Sequence, residues 1–109
     1  MPGGIGMNYY DRQGNPISQE KCMELWSPSS PGSREYKRVA ETTLADGRNI
    51  STAWLGLDHN FGDGPPMIFE TMIFPEAKVY ERYITEEGAR RGHARAVEQC
   101  ERERAQGKS

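Results

Sequence analysis

Apolar and polar positions alternate with period two through the middle of the chain and recur with helical period on either side of it. Over residues 36–44 the more apolar alternating face holds Tyr36, Ala40 and Leu44. Asp46-Gly47 supplies a turn, and residues 50–57 form the returning strand, so this segment predicts a β-hairpin. Residues 67–74 are apolar on both faces apart from Glu70 and Thr71, the pattern of a central strand, and Pro75 stops it. Residues 79–84 predict a fourth strand. The clearest helix starts at Thr85, which caps it, with Glu86 and Glu87 in the first turn against the helix dipole. Ala89, Gly92, His93, Ala96, Val97 and Cys100 then form one narrow apolar stripe.

Ahead of the hairpin, Tyr9 and Tyr10 open a short strand that runs into a turn built from Asp11, Gly14, Asn15 and Pro16. Ser18 caps a short helix through Trp26 whose apolar side is Cys22, Leu25 and Trp26. The pattern predicts an α+β fold. An antiparallel β-meander of three to four strands carries a C-terminal helix on one face, with a short N-terminal hairpin and helix at an edge. Residues 1–109 read as one domain, with 1–7 and 101–109 as flexible ends and 27–33 as a linker-like loop.

Composition thins this picture. Only 35% of the residues are hydrophobic, against twelve glycines and seven prolines, so the core is small for 109 residues. That thin core, and a central strand that one helix cannot cover on both faces, point to self-association as a homodimer or larger homo-oligomer. The net charge of −2 argues against general nucleic-acid binding, which calls for a basic surplus. Cys22 and Cys100 form no Cys-x-x-Cys pair. No stretch approaches the roughly 18 apolar residues of a membrane span, and no secretory leader is recognisable. The expected compartment is the cytoplasm, and no cofactor is expected.

The polar residues able to do chemistry are Asp58, His59, Asp63, Glu70 and His93. Asp58 and His59 sit at a predicted strand end, a common place for functional groups. Glu70 is the one carboxylate of an apolar strand, and a buried carboxylate needs a partner. The expectation is that Glu70 and His93 meet between strand and helix, with His59 able to join them. Nitrogen and oxygen donors of this kind suit a metal, so His59, Glu70 and His93 are the candidate metal ligands and Asp58, His59, Glu70 and His93 the candidate catalytic set. No nucleophile-and-base signature accompanies them. The binding candidates are Phe61, Asp63 and Gly64 in the following loop, together with Trp54.

Trp54-Leu55-Gly56-Leu57-Asp58-His59-Asn60-Phe61, Gly64-Pro65-Pro66, Ile68-Phe69-Glu70-Thr71-Met72 and the Tyr83-x-Thr85-Glu86-Glu87 run with Gly92-His93 resemble small proteins of unknown function encoded by tailed phages and prophages of actinobacteria, and the opening Tyr9-Tyr10-Asp11 with Gly14-Asn15-Pro16-Ile17-Ser18 fits the same pattern. The resemblance implies a small accessory protein made in a bacterial cytoplasm, and transfers no activity. The expected function is therefore a non-enzymatic protein-binding module that acts on a host protein or on a second copy of itself. The alternatives are a small metal- or ligand-binding enzyme using His59, Glu70 and His93, or a nucleotide-holding protein at the Gly62–Pro66 corner.

Overall fold

The computed structural model describes residues 8–58 and 64–107. The short strands β1 (Tyr9–Tyr10) and β2 (Pro16–Ile17) pair antiparallel. Helices α1 (Gln19–Trp26) and α2 (Ser33–Lys37) follow. Next come β3 (Arg38–Thr43), β4 (Asn49–Trp54), β5 (Phe69–Phe74) and β6 (Lys78–Tyr83), an antiparallel meander in the order β3-β4-β5-β6. Helix α3 (Glu86–Ala105) crosses one face of that sheet and touches all four strands. The α+β fold read from the sequence is the fold observed.

The caps follow local chemistry. Ser18 Oγ accepts the Lys21 amide at the start of α1, and Thr85 Oγ1 accepts the Gly88 amide at the start of α3. Two local expectations change. Helix α2 occupies Ser33–Lys37, where linker and strand were expected, so β3 starts only at Arg38. The expected flexible end at 101–109 is helical as far as Ala105. Past Cys100 no apolar stripe holds α3; charge does. Arg48 reaches across to donate to Glu103 at 2.9 Å and to the Cys100 carbonyl at 2.9 Å, while Glu101 and Arg104 pair at 2.8 Å.

Residues opposite one another on paired strands share a face. Thr52 lies across from Thr71, Trp54 from Phe69, and Phe69 from Tyr83; these point toward α3. Two apolar clusters lie along this face. One gathers Cys22, Val39, Trp54, Ile68, Phe69, Tyr83 and Ala89, with the N-terminal hairpin and α1 packed on it. The other joins Leu44, Ile50, Ala96 and Cys100. The cysteines are free, buried, and in different clusters. At Gly56, φ is +80° and an added Cβ would stand 2.7 Å from Cys22 Sγ and 2.9 Å from the Trp54 ring. Only glycine lets the chain turn out of β4 this close to α1.

The N-terminal hairpin is tied down by Arg12. Its guanidinium grips both Glu86 oxygens at 2.8 and 3.0 Å and donates to the Tyr36 carbonyl at 2.8 Å. Arg12, with help from Arg90, holds the Glu86 carboxyl below its ordinary range. Arg12→Ala should cost about 1–2 kcal/mol, read from urea unfolding. The Glu86 share of stability is present above the ordinary carboxyl pKa and fades as pH falls through the lowered one. An unchanged urea midpoint would mean that the hairpin is held without the Arg12 side chain, by its apolar contacts and by bonds such as Tyr10 N–H to the Gly56 carbonyl.

Candidate functional site

Between the two apolar clusters runs a polar belt with one residue from each strand of the sheet and one from the helix. Tyr83 of β6 donates its hydroxyl to Thr71 Oγ1 of β5 at 2.9 Å. Thr71 and Thr52 of β4 share a bond of 2.5 Å. Thr52 Oγ1 lies 2.8 Å from His93 Nδ1, and Thr42 Oγ1 of β3 lies 2.9 Å from His93 Nε2. Thr52 and Thr71 are fully buried, Tyr83 is 6% exposed and His93 7%.

One order of protons lets every member of the belt donate within it. In that order Tyr83 donates to Thr71, Thr71 to Thr52 and Thr52 to Nδ1. The imidazole proton then sits on Nε2, which donates to Thr42. Thr71 and Thr52 each donate once and accept once. A second proton on His93 would demand that Thr52 accept where it now donates. Burial already pushes the His93 imidazole below its ordinary pKa and pushes the Tyr83 phenol above its own. The belt therefore holds a neutral histidine with both nitrogens engaged. Among the described residues, no buried side-chain nitrogen or oxygen lacks a partner.

The meeting of Glu70 and His93 expected from the sequence does not form. Glu70 stands opposite Ala53 and Arg82, on the sheet face away from α3, and its Oε2 accepts from Arg82 Nε at 3.0 Å. The residues of β5 that face the helix are Phe69, Thr71 and Ile73, one position out of step with the expectation. The pair is half-buried, Glu70 being 13% and Arg82 39% exposed, so Glu70→Gln should cost about 1 kcal/mol. A larger loss in thermal unfolding would place Glu70 in the core.

Asp58 accepts the Met67 amide at 3.0 Å and so joins the two ends of the intervening loop. His59, Phe61 and Asp63 lie outside the described residues, and Gly64 is exposed at φ +120°. Trp54, expected as a binding residue, has no exposed surface; its ring meets Tyr36 edge-on at 4.9 Å, and its indole nitrogen donates to the Tyr10 carbonyl. Among the described residues no group of three or more His, Cys, Asp or Glu side chains is placed to hold a metal ion. No described helix is long and apolar enough to cross a membrane.

The face away from α3 carries what the sequence reading missed. Where β3 and β4 meet the α1–α2 corner, a groove of about 430 Å³ opens, lined by Trp26, Arg34, Lys37, Arg38, Glu41 and Ser51 among others. Trp26 is 39% exposed yet its ring is held by two contacts. Its Nε1 donates to the Leu55 carbonyl at 2.7 Å, the Lys37 ammonium sits 4.1 Å from the ring centroid, and the same ammonium donates to the Trp26 carbonyl at 3.1 Å. Three cationic residues within five positions, Arg34, Lys37 and Arg38, were the available signal for a cationic cluster. Farther along the same face Met72 faces Val79, which is 40% exposed, with Phe74 37% exposed beside them. No protein-family model, curated protein or solved structure matches the chain.

Proposed function

We propose that this protein is a non-enzymatic binding module that holds another polypeptide, a host protein or a second copy of itself, on the sheet face away from α3. The reading is carried by one observation: a four-stranded sheet has its single long helix on one side, while the other side presents the Trp26 groove and the Met72–Phe74–Val79 patch. Fixed aromatic and apolar groups on an exposed sheet suit protein contact. Two of the residues proposed for chemistry favour the same reading. His93 spends both ring nitrogens inside the core, and Glu70 is taken by Arg82 on the other face. The resemblance to proteins of actinobacterial phages supports a setting, that of a small accessory protein made in the cytoplasm of a bacterial host.

Light scattering over a range of concentrations, followed by use of the protein as bait in bacterial lysate, tests this. The expected result is a concentration-dependent dimer or a retained partner, lost in both cases on Met72→Glu with Val79→Glu. The same behaviour should survive Glu87→Ala on the exposed side of α3. A strict monomer that retains nothing, or association indifferent to the Met72 and Val79 changes, rejects the proposal.

A further inference from the structure

The groove at the α1–α2 corner differs in chemistry from the rest of the sheet face, and the difference selects an occupant. Arg34, Lys37 and Arg38 set three positive charges around it against the single carboxylate of Glu41, in a chain whose net charge is −2. Among the described residues no carboxylate pairs with Arg34, and Arg38 meets Glu41 only at 3.6 Å with both side chains nearly half exposed. Trp26 is clamped by Lys37 and the Leu55 carbonyl, so its exposed surface can be covered without first being ordered. Beside the groove, β3 is hydrogen-bonded among the described residues to β4 alone, and past the bulge between Arg38 and Ala40 its other edge carries no strand.

We infer that this groove takes an acidic polypeptide segment in extended form, laid along the free edge of β3, with an apolar side chain against Trp26 and carboxylates on Arg34 and Arg38. An added strand sends alternate side chains to one sheet face, so a segment with acidic residues at every second position presents them all to the cationic side. Glu41 argues against a phosphate ligand in the same place. It accepts from Asn49 at 3.1 Å and lies beside Arg38, a fixed negative charge that opposes a dianion more than a single carboxylate. The inference rests on the reading of the protein as a polypeptide-binding module, and it names a different part of the face from the Met72–Val79 patch.

A fluorescein-labelled peptide of about ten residues, with Glu at alternate positions around a central Phe and Thr between them, is the probe. Fluorescence anisotropy with the full chain should show saturable binding that weakens about tenfold or more in Arg34→Glu with Arg38→Glu. Binding should also weaken as salt rises from about 50 to 500 mM. Both substitutions fall on exposed side chains, and circular dichroism verifies that the variant stays folded. The Lys-for-Glu counterpart of the peptide should not bind, and ATP and oligothymidylate should compete poorly. Absence of saturation, equal binding of the basic peptide, tighter binding of ATP or oligothymidylate, or indifference to the double substitution overturns the inference. If such a result comes while association still depends on Met72 and Val79, the broader reading stands and only the groove's occupant is wrong.

Discussion

Gly92→Ala should be among the most damaging single-methyl changes in this protein, with a loss of about 2–4 kcal/mol. Helix propensity alone points the other way, since alanine gains about 1 kcal/mol over glycine inside a helix. Packing decides the sign. A Cβ at residue 92 would overlap Cε1, Cζ and the hydroxyl of Tyr83. Tyr83 has little freedom to withdraw, because it is 6% exposed and its hydroxyl is bonded to Thr71. Relief requires either that α3 lift from the sheet or that the ring turn out and abandon the belt. Gly88→Ala is the control: its Cβ would approach only Thr85 Oγ1, at 3.2 Å, so the change should be close to neutral. Urea unfolding of the two variants beside the wild type makes the comparison. If both behave alike, the close seating of α3 on β6 is not what Gly92 provides.

This contrast marks what periodicity can and cannot read. The stripe Ala89, Gly92, His93, Ala96, Val97 and Cys100 was legible from helical spacing, and all but the half-buried Val97 are buried. The cap at Thr85 and the Asp46–Gly47 hairpin were legible because few residue types satisfy those backbone requirements. What Gly92 faces was not legible, since nothing in the spacing of α3 names Tyr83 as its neighbour. Helix α2 was missed for a related reason. Ser33–Lys37 is one short turn with a single apolar residue, Tyr36, too little to show a period.

The face of β5 was misread because both of its faces carry apolar side chains. Period two then fixes which residues travel together and leaves open which set is inside. Phe69, Thr71 and Ile73 are that set. Two of the three are apolar, but so are Met72 and Phe74 on the other face, and Glu70 was given a buried role that Thr71 fills. A threonine in a strand pattern carries no signal of what its hydroxyl meets across the sheet. Once the strand register is known, Thr52 and Thr71 stand directly opposite each other and the belt becomes readable. A single histidine among threonines is thus a buried polar network that needs every member satisfied.

That network should make the protein weaker in mild acid, through His93 itself. The folded state holds the His93 proton less tightly than the unfolded chain, whose histidine titrates near pH 6.5. Below that value the unfolded chain takes up a proton that the folded one resists. Stability is therefore full above the unfolded pKa, falls as pH drops through it toward the lowered folded pKa, and then levels off. The groups facing His93 offer no compensating charge, since Thr42 and Thr52 are neutral and Tyr83 keeps its proton over this range. His93→Leu removes the titration and also strands the Thr52 proton in a site with no exposure, at a cost of about 1–3 kcal/mol at neutral pH. Unfolding free energies of the wild type and the variant, measured from about pH 8 to pH 5, should start apart and converge as the pH falls. His59 and the carboxylates are common to both proteins and cancel in the difference. Two curves that stay parallel through that range would mean that His93 accepts a proton without disturbing the belt, and the proton order from Tyr83 to Thr42 would have to be abandoned.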